Sequence, residues 1–184
     1  MIISTALKED IGELTDLWQT CFGDDDDYIG AFMRSRFVPE RTLIGREDGK
    51  ICSALYLLDG KVRIAGEAFD AAYLYAACTH PDFRSRGYMG ELLRSAESLC
   101  RDSGLDYICL VPAEDSLFDY YSRFGYRPAF EEKLLKIDRS HLELIADATL
   151  RLKSSPPKIC RRSETPASVA LIALFGISMI CNTQ

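Results

Sequence analysis

Histidine is nearly missing from this chain, with two in 184 residues, and none of the seven cysteines, at 21, 52, 78, 100, 109, 160 and 181, forms a C-x-x-C pair. That leaves neither a ligand set for zinc nor a disulfide framework, so no metal is expected. The thiols lie scattered in apolar stretches, which suits free cysteines in a reducing cytoplasm. No apolar run exceeds the 13 residues of Val169 to Cys181, too short for a bilayer, and Lys8, Glu9 and Asp10 precede any long apolar run, against a secretory leader. No membrane partner is expected. Basic residues are in deficit, 22 against 28 acidic for a net charge of −6, which argues against nucleic acid as a partner and is compatible with a cationic substrate such as an amine. Internal repeats and low-complexity segments are absent too. The 184 residues that remain are enough for one substantial core with an appendage.

The stretch richest in chemistry is Tyr73 to Leu99. Alternation of Tyr73, Tyr75, Ala77 and Thr79 predicts a strand, and His80-Pro81-Asp82 ends it because Pro81 donates no ladder hydrogen bond. Met89, Leu92, Leu93, Ala96, Leu99 and Cys100 then step by three or four, the buried stripe of a helix. Between strand and helix lies Arg84-Ser85-Arg86-Gly87-Tyr88-Met89-Gly90. Amides at a helix start converge with partial positive charge, so a phosphate fits there. Gly87 and Gly90 lack a Cβ that would hold it off, and Arg84 and Arg86 add charge. A plain strand-to-helix turn with solvated arginines is the competing reading.

Around this stretch the pattern predicts a strand at Ile2 to Ser4 and a helix from about Glu9 to Phe22, with Asp10 and Glu13 spaced as a capping pair. A second helix begins in Asp24 to Asp27, where carboxylates suit the positive helix end. Arg41 to Arg46 and Ile51 to Leu58 read as strands joined at Glu47-Asp48-Gly49-Lys50, Asp59-Gly60 reads as a further two-residue hairpin turn leading to Val62 to Ile64, and Gly66 turns the chain again into the strand that ends at Thr79. After the central helix come a strand at Asp106 to Val111, expected parallel to the one ending at Thr79, a short helix at Asp115 to Phe124 and a strand at Tyr126 to Ile137. His141 to Leu152 reads as helical. Val169 to Ile180 suits either a last strand or a hydrophobic helix, and an uncovered apolar tail there would call for a second copy of the chain.

Arg84-x-x-Gly87-x-Met89 resembles the cofactor motif of the GNAT acyl-CoA-dependent N-acyltransferases, with Met89 where a small residue is usual and Gly90 one place later. Thr79-His80-Pro81-Asp82-Phe83 resembles the family's lead-in, and Tyr121-Ser122-Arg123-Phe124-Gly125-Tyr126 resembles its Tyr-x-x-x-Gly-Phe/Tyr motif. The resemblance covers about Ile2 to Ile137. It implies an α+β GNAT fold, a mixed, mostly antiparallel sheet flanked by helices, with a domain at 1–139 and an extension at 140–184. It implies an N-acetyltransferase using acetyl-CoA as cosubstrate, with a small-molecule or protein amine as acceptor. Pantetheine would lie between the edges Ala77-Cys78-Thr79 and Leu110 to Pro112, the pyrophosphate on Arg84 to Gly90, Ser85 and Tyr88 included, and an amide near Thr79 would face the thioester oxygen. Tyr121 would protonate the leaving thiolate, with Tyr120 its rival. Glu114 stands where the family often has Asn and either touches cofactor or caps the helix. No general base is assigned among Glu67, Asp70 and His80, and Cys78 is read as a buried structural thiol. The first two helices border the acceptor site in this family, which draws Asp26, Asp27 and Tyr28 into question as substrate contacts. The rival reading is a non-catalytic acyl-CoA-binding module.

Overall fold

The structure, a computed structural model, describes residues 1–131 and 169–174. Seven strands form one sheet in the order β1-β2-β3-β4-β5-β7-β6. They are β1 (Ile2–Thr5), β2 (Thr42–Glu47), β3 (Lys50–Ile64), β4 (Glu67–Thr79), β5 (Tyr107–Leu110), β6 (Arg127–Glu131) and β7 (Val169–Leu174). All neighbours are antiparallel except β4 and β5, which pair in parallel through a crossover that contains the central helix. The helices are α1 (Ile11–Phe22), α2 (Asp26–Ser35), α3 (Tyr88–Asp102) and α4 (Ser116–Ser122). This is the α+β arrangement of a mixed, mostly antiparallel sheet flanked by helices. The helix expected at His141 to Leu152 and the far end of the strand expected to reach Ile137 lie outside the described residues.

Each face of the sheet carries its own core. On one, α1 and α2 lay Leu14, Leu17, Trp18, Ile29, Phe32 and Met33 over Ile44, Ala54, Tyr56 and Cys78. Trp18 is its hub, with ring centroids 4.8 Å from Phe32, 5.3 Å from Tyr56 and 5.9 Å from Tyr75. Each such pair adds about 0.5–1.5 kcal/mol beyond simple burial. On the other face, α3 packs Leu92, Leu93, Ala96 and Cys100 over Leu55, Leu57, Ala72, Leu74 and Ile108, and Tyr121 of α4 joins them.

Three expectations need correction. Asp59-Gly60 is no turn, because β3 runs straight through it, with Asp59 opposite Ala72 and Gly60 opposite Ala71. The chain reverses at Ala65-Gly66, both at positive φ (51° and 90°). The longer hairpin wins because it pairs Val62 with Phe69 and buries Val62 beside Ala71 and Tyr107. Asp10 and Glu13 do not cap α1 as a pair. Asp10 accepts the Leu7 N–H at 2.8 Å and holds Arg46 at 2.5 Å, while Glu13 accepts the Ile51 N–H at 3.0 Å, so both tie the helix to the β2–β3 edge. The alternation read along β4 also breaks. Tyr56 pairs with Tyr75 and Ala54 with Cys78, so Leu55 faces two residues, and Ala76 takes φ +45° in the resulting bulge. Tyr73 and Tyr75 therefore share one face, while Ala77 packs against the α3 core on the other.

The two glycines, one in the observed turn and one within β3, give a paired test. Gly66→Ala, at φ +90°, should lose about 1 kcal/mol in urea unfolding, because left-handed backbone penalises a Cβ. Gly60→Ala should change stability by less than about 0.5 kcal/mol or raise it slightly, since an added Cβ meets nothing nearer than the Ala71 carbonyl at 3.5 Å. The reverse order of costs would put the turn back at Asp59-Gly60.

Candidate active site

The parallel pairing of β4 with β5 extends only over Ala71–Tyr107, Ala72–Ile108 and Tyr73–Cys109. Beyond it the strands part. β4 continues to Thr79 along β3, and β5 leans on β7 instead. A cavity of about 160 Å³ occupies the opening, lined by Leu74 and Ala77 of β4, Leu110 at the end of β5 and Val111 after it, Trp18 of α1 and Tyr121 of α4. The opening thus begins at Leu74, earlier than the edge expected at Ala77. Of the three β4 residues expected at the cofactor edge, Ala77 lines this cavity. The Cys78 side chain instead turns into the α1–α2 core, and Thr79 shares a 2.8 Å hydroxyl contact with Ser53.

Below the open end lies the turn before α3. Ser85 and Gly87 both take positive φ (62° and 84°), which re-aims successive amides. Among the described residues no hydrogen bond uses the amides of Ser85, Arg86, Gly87, Tyr88, Met89 or Gly90 as donors, and the helical ladder starts with the Glu91 N–H on the Gly87 carbonyl at 3.2 Å. A run of such donors at a helix start fits an anion. The two arginines serve the loop itself. Arg84 Nε donates to the Thr79 carbonyl at 3.1 Å. Arg86 donates to the Asp82 carbonyl at 3.1 Å, pairs with Glu47 at 3.3 Å and stacks on Phe83 at 4.9 Å. The Tyr88 hydroxyl donates to the same Glu47 carboxylate, which holds the Tyr88 phenol above its ordinary pKa. Glu47, at the end of β2, is therefore the anchor of the turn, a residue whose role only tertiary structure reveals.

Gly90 has a packing reason to be glycine. It is buried, and a Cβ there would lie 2.8 Å from Cζ of Phe124, so its bareness lets the α4 end approach α3. Met89 packs beside the same core. Glu114 is exposed. Its carboxylate accepts from the Ser116 hydroxyl at 3.3 Å and its carbonyl takes the Leu117 N–H at 3.1 Å, both acts at the start of α4.

Tyr121 is 8% exposed, faces the cavity, and packs edge-on against Tyr120 and Tyr126 with centroids 5.4 and 5.6 Å away. Burial, reinforced by Tyr120, pushes its phenol up to about 12, so it stays protonated at neutral pH. Tyr120 does not line the cavity. Neither Glu67 nor Asp70 borders the opening. Asp70 pairs with Lys61 at 2.8 Å, and His80 Nδ1 accepts the Asp82 N–H at 3.3 Å.

A larger cleft of about 640 Å³ lies on the α2 side and shares Tyr73 and Tyr75 with the first. Its wall is aromatic. Tyr28 meets Tyr75 hydroxyl to hydroxyl at 2.5 Å, Phe32 stacks on Tyr75 at 5.4 Å, and Tyr73 lies 6.0 Å from Tyr75. Of the acidic run, Asp24 accepts the Trp18 indole N–H, Asp25 caps α2 through the Tyr28 N–H, and Asp26 accepts from Gln19. Neither Asp26 nor Asp27 reaches this cleft, whereas Tyr28 does. The tyrosines at 73 and 75 were legible as a pair on one strand face; that they join two cavities was not.

A family model described as the acetyltransferase (GNAT) domain matches residues 3–129. Among solved structures, a GCN5-related N-acetyltransferase from Anabaena variabilis superposes with a TM-score of 0.64 at 19% identity, over 71% of this chain and 32% of its own. The ribosomal-protein-S18-alanine N-acetyltransferase from Escherichia coli gives 0.64 at 11% identity over 100% and 99%. A GNAT family acetyltransferase from Brucella melitensis in complex with acetyl-CoA gives 0.56 at 19% over 74% and 92%. The chain spans about a third of the length of the Anabaena protein. No curated protein matches it.

One thiol beside the turn offers a direct check. Cys21, in the last turn of α1, interacts with the buried Cys78 thiol across the helix–strand contact. With the Arg84 guanidinium nearby, this overcomes burial and brings the Cys21 thiol down to about 7, while Cys78 is raised well above its usual range. Iodoacetamide labelling of the Cys21 peptide should therefore be half-maximal near pH 7 and should move up in Cys78→Ala. A midpoint above pH 8.5, the ordinary thiol range, in the intact chain would deny the contact.

Proposed function

The chain belongs to the GNAT acetyltransferase family, and from that membership we propose that it transfers an acetyl group from acetyl-CoA to a primary amine by direct attack in a ternary complex. The observation that carries the reading is the coexistence of three features in one chain. These are the uncommitted amides of Ser85 to Gly90, the parted edges of β4 and β5, and a buried, protonated Tyr121 facing the opening between them. Acetyl-CoA supplies the acyl thioester. The amides of the turn, with Gly87 letting backbone approach closely, take the pyrophosphate. Main chain left unpaired by the separation of β4 and β5 takes the pantetheine in the manner of an added strand. An amide on the Ala77 to Thr79 edge supports charge developing on the thioester oxygen.

The amine nitrogen bonds to the carbonyl carbon as the C–S bond breaks. Tyr121 gives its proton to the departing sulfur, the amine loses one proton to solvent, and the products are an amide and a free thiol. A phenol held at about 12 does not ionise beforehand, so its proton is still in place when the sulfur departs. Proximity of the two cavities at Tyr73 and Tyr75 sets where the amine meets the acyl group.

Acetyl-CoA binding by calorimetry is expected for the intact chain and should be lost in Arg84→Glu/Gly87→Glu. Tyr121→Phe should keep acetyl-CoA affinity within about twofold while lowering kcat for thiol release about 10²–10⁴-fold. Full kcat in Tyr121→Phe would remove the tyrosine from the mechanism. Tight binding with no turnover on any amine would leave a non-catalytic acyl-CoA-binding module.

A further inference from the structure

The larger cleft bears on the choice of acceptor, and an acceptor assigned there rests on the acyltransferase reading. A net charge of −6 points loosely to a cationic substrate, yet the lining of the cleft has the opposite balance. It contains two cations, Arg36 and Lys61, and one carboxylate, Asp59. That carboxylate pairs with Arg41 but is itself 86% exposed, so this pair is screened. Lys61 pairs with Asp70, but both side chains are about two-thirds exposed, so water screens the pair and leaves it weak. No ion pair or hydrogen bond engages the Arg36 side chain among the described residues. The remaining wall is the ring cluster of Tyr28, Phe32, Tyr73 and Tyr75.

A polyamine or an aminoglycoside-like cation would meet one carboxylate here against two positive side chains. We propose that the acceptor is a small arylalkyl amine bearing a carboxylate: its ring lies on the Tyr28–Phe32–Tyr75 wall, its carboxylate meets Arg36, and its amine points past Tyr73 and Tyr75 toward the acyl opening. Flat apolar rings stack on such a wall, and a guanidinium takes a carboxylate in a fixed two-point geometry. A cleft of about 640 Å³ lies within the ordinary range for a ligand of this size. Arg36 is thereby a specificity residue, set at the end of α2 and outside the acyl-transfer machinery.

L-Phenylalanine and 2-phenylethylamine share ring and amine and differ in the carboxylate, which makes them the probes, with spermidine as the polycation. Thiol release from acetyl-CoA is measured for all three on the intact chain and on Arg36→Gln. That variant should fold normally because the residue is exposed. The expected result is a kcat/KM ratio of phenylalanine to phenylethylamine that drops at least tenfold in Arg36→Gln, with the loss in KM and with phenylethylamine itself changed less than twofold. Comparing the ratio in the two proteins cancels the different basicity of the two amines. An unchanged ratio, or spermidine as the best substrate, overturns the inference. The same two ligands are also titrated by saturation-transfer NMR without acetyl-CoA. Arg36-dependent binding of phenylalanine upholds the inference if the chain turns nothing over, and its absence overturns it. Loss of acetyl-CoA binding in calorimetry would instead strike the acyltransferase reading alone.

Discussion

The site depends on the brevity of a single strand pairing. β4 and β5 share three residue pairs and then separate, and almost everything of functional interest borders the place where they do. Two parallel strands would normally continue to pair, since unpaired main chain is costly to bury. Here β4 is held on its other side by β3 as far as Thr79, and β5 is held by β7, so each strand keeps one partner while the edge between them opens. Trp18 and Tyr121 reach the opening from opposite faces of the sheet, and through them the two cores meet the cavity.

The turn before α3 achieves a related end by other means. Its arginines look from the sequence like free charges waiting for phosphate. In the structure Arg84 braces the Thr79 carbonyl, and Arg86 is triangulated by Glu47, Asp82 and Phe83. Exposed ion pairs of this kind contribute little to stability singly. Their effect is positional: they fix the backbone of Ser85 and Gly87 in left-handed conformations that direct the following amides outward.

Much of this was legible in the residues. The helix stripes of α1 and α3, the parallel crossover and the glycine-centred turn follow from periodicity and spacing, because each rests on local chemistry, whereas Tyr121 was singled out by the resemblance of its motif to the GNAT family's. The failures share a cause. Asp59-Gly60 is the better local turn, and it lost because Val62 and Phe69 gain more by pairing further along. Asp10 and Glu13 have capping spacing, but Arg46 and the Ile51 N–H, 36 and 38 residues away, claimed them. The anchoring role of Glu47, the packing reason for Gly90 and the opening register of β4 likewise depend on partners distant in sequence. Local signals propose; long-range contacts decide.

The bulge at Ala76 also bears on how such a protein can change over generations. A regular strand would place Tyr73, Tyr75 and Ala77 on one surface, so that a substitution suited to a new acceptor would tend to disturb the edge expected to meet the acyl group. With one extra residue inserted, the tyrosines look toward α2 and Ala77 looks toward α3. The two surfaces become separate heritable characters. Residues on the α2 side such as Tyr28, Arg36 and Tyr75 can then change without moving the edge at Ala77, whereas gain or loss of a single codon at the bulge would exchange the two surfaces at a stroke.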